Sequence, residues 1–152
     1  MAIETIKDIL ELTQRLHTNL ENALQHASLD VQHQKLKMLL DYLSQHEREL
    51  GRVVALTERD AHSAILNTWC TEYFDKYSFA KEKVDSIDFS HMNAVEIMIS
   101  LLSIHEKIID LYRYLSERAE TPSIEEMLSN LLKLEQHEVM RMMRDAERLE
   151  DM

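Results

Sequence analysis

Apolar residues recur at alternating three- and four-residue steps along most of the chain, the spacing that lines one face of an α-helix. Ile3, Ile6, Leu10, Thr13, His17, Leu20, Leu24 and Ala27 mark a first long helix, and Ser28 offers an N-cap for the next. Leu36, Leu39, Leu43, His46, Leu50 and Val53 mark a second. Gly51 falls inside that run, where glycine costs about 1 kcal/mol against alanine; it reads as a point of close approach between helices rather than a stop. A third long helix carries Val95, Met98, Leu102, His105, Ile109 and Tyr112, with Ser90 as its N-cap. Thr121-Pro122, with Glu125 completing a capping-box pattern, opens a fourth through Met127, Leu131, Leu134, Val139, Met142 and Leu149.

Between Thr57 and Ser90 the pattern lapses. Trp69, Tyr73, Phe74, Tyr77, Phe79 and Phe89 crowd into this stretch, which reads as a shorter helix near 60–77 followed by the irregular KEKVDSIDFS. A connection of about thirty residues separates the second and third long helices, whereas the other joins are tight turns. An up-down-up-down bundle uses short loops throughout; a long middle crossover makes its second and third helices parallel. The two hairpins also echo each other. Leu43-Ser44-Gln45-His46-Glu47 returns as Leu134-Glu135-Gln136-His137-Glu138, and His17 and His105 stand on the preceding helices, which suggests a duplicated hairpin.

The chain has 152 residues, a length that suits one domain spanning 1–152. One glycine and one proline are too few for the turns of a β-sandwich or barrel, and no Gly-rich phosphate loop can be built. The fold class is all-α. Seventeen basic against 28 acidic residues leave a net charge of −11, which argues against nucleic acid and anionic membrane surfaces as partners. Cys70 is alone, so neither an intramolecular disulfide nor a cysteine-cage zinc site is available. No apolar run of about 18 residues exists to span a membrane. MAIETIKDIL lacks a basic stretch followed by an apolar one, so no signal peptide and a cytoplasmic location are expected.

The segment HEKIIDLYRYLSERAETPSIEEMLSNLLKLEQHE (105–138) resembles the second hairpin of the ferritin-like superfamily, in particular its rubrerythrin-like branch. In that hairpin an acidic residue is followed about seven positions on by tyrosine, then a turn, then a helix ending in Glu-x-x-His. The resemblance is strongest over 95–145, weaker over 3–57 and absent in the crossover. It implies a ferritin-like four-helix bundle with a long crossover containing a short extra helix between helices 2 and 3. It also implies two metal ions held by a glutamate and a Glu-x-x-His from each hairpin. Here His46 and His137 match the motif histidines, but Leu43 and Leu134 occupy the glutamate positions. His105 stands at the glutamate position of the third helix with Glu106 beside it, and His17 or Gln14 at that of the first.

A different constellation remains. His46-Glu47, His105-Glu106 and His137-Glu138 repeat one dipeptide on three helices. Projected at 100° per residue, Glu47, Glu138, His105 and His17 fall within the apolar arcs, with His46 at an edge. Glu135 projects near the middle of the fourth helix's apolar face. Carboxylates converging inside a bundle need protons, cations or a metal. The expected ligand set is therefore His17, His46, Glu47, His105, Glu106, His137 and Glu138. Imidazole with carboxylate suits iron or manganese and would support redox or peroxide chemistry. Electrons would come from a separate partner, since no Cys-x-x-Cys pair is present.

Two alternatives stand beside this: a metal-free ferritin-like dimerisation or adaptor module with no cofactor, and a hemerythrin-like oxygen or metal binder. The long crossover, and Leu50 four residues after His46, count against the second. The aromatic load of the crossover points to a homodimer. His26 and His33 are expected at the surface, and Glu58 with His62 as an i,i+4 surface bridge.

Overall fold

Two capping boxes start the two halves of the fold. Thr5 accepts from the Asp8 amide while Asp8 accepts from the Thr5 amide, and Asn93 and Glu96 do the same eighty-eight residues later. The computed structural model describes residues 4–70 and 87–150. The described elements are α1 (Ile6–Asp30), α2 (Gln34–Asp60), the one-turn α3 (Ser63–Leu66), a 3-10 turn (Phe89–His91), α4 (Ala94–Glu117) and α5 (Pro122–Glu150). No β-strand occurs among the described residues, only an isolated antiparallel bridge between Thr5 and Trp69. None of the described helices is long and apolar enough to cross a membrane.

Side-chain contacts fix how the four long helices run. Gln14 Nε2 donates to Glu58 at 2.6 Å and Arg48 Nε to Glu21 at 3.0 Å, so α1 and α2 are antiparallel. His46 meets Glu138 and Tyr42 meets Asp145, so α2 and α5 are antiparallel. The His17 and His105 rings lie 5.5 Å apart, and Tyr112 Oη donates to Thr13 Oγ1 at 2.9 Å. Moving forward along α4 therefore means moving backward along α1. The interior is aliphatic for most of its length: Ile9, Leu20, Leu24, Leu40, Leu43, Leu50, Ile97, Ile108 and Leu128 are all buried, with Phe89 and Tyr112 the largest fully buried side chains.

Several expected boundaries move. Ser28 does not cap α2; α1 continues to Asp30, and Ser28 is buried in its last turn, donating to Asp41. His33 takes the N-cap position of α2 without a side-chain bond. Asn93 rather than Ser90 caps α4, because a 3-10 turn closed by Asp88 intervenes. Thr121 does cap α5, its Oγ1 accepting from the Ile124 amide at 3.3 Å. The extra helix expected over 60–77 is the single turn Ser63–Leu66 within the described residues. Tyr73, Phe74, Tyr77 and Phe79 lie outside them; of the aromatics that flank this gap, Trp69 is exposed and Phe89 fully buried. A Cβ on Gly51 would sit 3.5 Å from His17 Cβ, so α1 and α2 approach closely there, at the height of the polar centre.

Candidate metal centre

Each long helix presents one ionisable side chain to the bundle axis at mid-length: His17 from α1, Glu47 from α2, His105 from α4 and Glu135 from α5. All four are at most 1% exposed. They form a closed ring. His17 Nδ1 lies 2.9 Å from Glu47 Oε2, and His105 Nδ1 lies 3.0 Å from Glu135 Oε2, each within its own hairpin. His17 Nε2 lies 2.5 Å from Glu135 Oε1, and His105 Nε2 lies 2.5 Å from Glu47 Oε1, each between hairpins. The arrangement has a two-fold pattern: every Nδ1 faces the glutamate of its own hairpin and every Nε2 that of the other.

This geometry fixes a proton count. A carboxylate only accepts, so a ring nitrogen facing it must donate, and both nitrogens of both histidines face carboxylates. Four contacts need four protons, which makes the cluster two imidazoliums and two carboxylates with no net charge. Burial alone would neutralise all four groups; the reciprocal pairing outweighs it. Glu135 and Glu47 raise His17 to about 9 and His105 to about 10. The two histidines lower Glu135 to about 2 and hold Glu47 below its ordinary value. No buried side-chain nitrogen or oxygen among the described residues lacks a partner. Beside the ring, Tyr112 donates to Thr13, which donates to the Leu10 carbonyl at 3.2 Å.

The donor set also fits a metal ion. His17, His105 and Glu135 each offer a ligand atom, all within 4.8 Å of one another. Two imidazoles and a carboxylate are ligands for iron, manganese or zinc, and Glu47 stands against both histidines beside them. One divalent ion in place of two of the four protons leaves the cluster equally neutral.

Of the expected ligands, the fold brings His17, Glu47 and His105 together. His46 and Glu138 pair separately, His46 half-buried and Glu138 buried, with His46 Nδ1 2.7 Å from Glu138 Oε2. Glu106 and His137 are exposed and leave the candidate set. The reason is helical phase: one residue past His105 turns the side chain by about 100°, and two past Glu135 by about 200°. Leu43, at the position of a motif glutamate, is fully buried core.

Glu135 takes the place expected for Glu138. The signal that finds it is a repeat without gaps: Glu47 follows His17 by 30 residues and Glu135 follows His105 by 30. The same 88-residue offset relates Ile9 to Ile97, Leu40 to Leu128 and Leu43 to Leu131, all of them buried. His26 is exposed beside Asp30, as expected, whereas Glu58 accepts from Gln14 instead of meeting His62, which caps α3.

No protein-family model matches the chain, and neither the curated proteins nor the solved structures contain a match.

Proposed function

We propose that the protein is a ferritin-like bundle whose His17–Glu47–His105–Glu135 ring binds a divalent transition metal, iron or manganese. The observation that carries this is the ring itself: two buried carboxylates at the bundle centre, one ligand side chain from each of four helices, balanced only by two protons or one divalent ion. The topology is consistent with it. α1 is antiparallel to both α2 and α4, so α2 and α4 run parallel, as a long crossover between the second and third long helices requires. The histidines sit where the family's single glutamates stand, and the glutamates come from the helices that carry the family's Glu-x-x-His. The set is thus an exchange of ligand types between helices.

Bound iron or manganese would supply redox exchange with oxygen or peroxide. The chain's own part is to hold four ligands rigidly, exclude water from them and give up two protons on loading. Metal analysis of untagged protein tests this, with iron or manganese near stoichiometric as the expected result. His105→Ala should abolish that content and His33→Ala, on the surface, should leave it intact. Equal loss from both would place the ion elsewhere.

One observation favours a second reading, a metal-free dimerisation or adaptor module. The four hydrogen bonds close on themselves and leave no buried polar atom of the ring unpaired. Metal at background level, with an intact ring, selects it.

A further inference from the structure

An ion bound at a fully buried ring must have a way in, and the two sides of the ring are not alike. On the α1–α4 side Tyr112 and Thr13 close the seam, both fully buried and bonded to each other. On the α2–α5 side stand His46 and Glu138, whose side chains keep 16% and 11% of their surface in contact with solvent. His46 adjoins Glu47, and Glu138 lies one helical turn beyond Glu135, so the pair touches the two helices that supply the ring's carboxylates. Tyr42 flanks His46 with ring centroids 4.4 Å apart and gives its hydroxyl to Asp145. Arg141, largely exposed, lies 3.5 Å from the other oxygen of Glu138.

The internal repeat makes this pair informative. Shifted by 88 residues, His46 corresponds to Leu134 and Glu138 to Leu50. Leu134 and Leu50 stand on the same two helices, further along the α2–α5 seam, so the repeat fills the equivalent places with two leucines and nothing in the packing of the seam demands ionisable groups. Partly burying an imidazole and a carboxylate costs desolvation that a leucine pair avoids.

We propose that His46 and Glu138 form the gate through which divalent ions reach the ring. The inference rests on the metal reading. The pair has the same ligand chemistry as the ring, so an ion leaving water meets imidazole and carboxylate at the surface before meeting them again inside. The Glu138 carboxyl keeps partial contact with solvent and so offers oxygen to an arriving cation. His46 and Glu138 are positioning residues for uptake and do not hold the ion at equilibrium.

The test is the time course of cobalt(II) uptake by chelator-stripped, full-length protein, followed by the visible absorption of the bound ion. The double variant His46→Leu/Glu138→Leu copies Leu134 and Leu50, the leucines at the repeat-equivalent places on the same seam; His46→Gln/Glu138→Gln keeps size and hydrogen bonding and serves if the first does not fold. Uptake should slow by at least about tenfold, the lower end of what a local charge contributes to association rates, with final stoichiometry and spectrum unchanged. Uptake at the unsubstituted rate overturns the gate. A lost final stoichiometry also overturns it, since the pair would then be ligands. If the unsubstituted protein takes up no cobalt, the metal reading fails, and the gate with it.

Discussion

Two carboxylates at the axis of a helical bundle are stable only while each oxygen faces a donor, and here both oxygens of both do. Removing one member leaves charges behind without partners. Glu135→Leu leaves one N–H of each imidazolium without an acceptor and Glu47 as their shared counter-charge, and breaking a buried network in this way costs about 3–5 kcal/mol. Urea denaturation of metal-stripped protein should show that loss. Glu138→Leu should cost less than Glu135→Leu, because the His46 it leaves behind keeps some contact with water. Replacing all four ring members by leucine should be far milder than Glu135→Leu alone, because a well-filled apolar layer frequently equals or exceeds a buried ion network in stability. A quadruple variant less stable than Glu135→Leu would show that the ring's geometry itself holds the helices in register. Glu106→Ala and His137→Ala, both on exposed faces, should change stability by less than about 0.5 kcal/mol and metal content not at all.

At the level of helices, α2 carries an interior glycine that faces His17 on α1. An alanine Cβ there would make ordinary contact with His17 Cβ at 3.5 Å, and φ at this position is not positive. Gly51→Ala should therefore stabilise the protein by about 0.5–1 kcal/mol through lost freedom of the unfolded chain. A drop in stability would mean that α1 and α2 cannot part even slightly around the ring. The helices were legible because Leu and Ile recur at helical steps for six or more turns. The duplication was legible too, but in a shifted register. The strings ending at Glu47 and Glu138 align by their shared Leu, Gln, His and Glu at an offset of 91, whereas the buried residues align at 88. Three residues rotate a side chain by about −60°, enough to carry the partner of Glu47 from the axis at Glu135 to the seam at Glu138. Identity of letters does not report phase; burial against three neighbouring helices sets it, and that information is not local. The N-caps slipped for a similar reason. Ser28 has the chemistry of a cap, but the apolar face of α1 runs on past it.

For the molecule as a whole, the ring couples folding to pH with a definite sign. His17 and His105 rise from 6.5 to about 9 and about 10, so their contribution is complete below pH 6.5 and fades as pH climbs through 9 and 10. Glu135 falls from 4.5 to about 2, and Glu47 is lowered as well, so their contribution is complete above pH 4.5 and fades as pH falls toward 2. Both hold in full only between pH 4.5 and 6.5. The chain's acidic excess, 28 Asp and Glu against 17 Lys and Arg, acts in the same sense at high pH by adding self-repulsion. Thermal unfolding of metal-stripped protein should thus show its maximum near pH 5–6 and a steady fall from pH 6.5 to 9.5. The fall should be smaller in the quadruple leucine variant, which keeps the surface charge and loses the ring; an equal fall would assign the effect to the surface alone. Loading separates the two readings of the centre. A divalent ion replaces the two protons that high pH removes, so the loaded protein should hold its melting temperature between pH 6.5 and 9 while the stripped protein loses it. Identical profiles with and without iron or manganese would mean that the ring keeps its protons in the presence of metal, and would leave the bundle as a metal-free module.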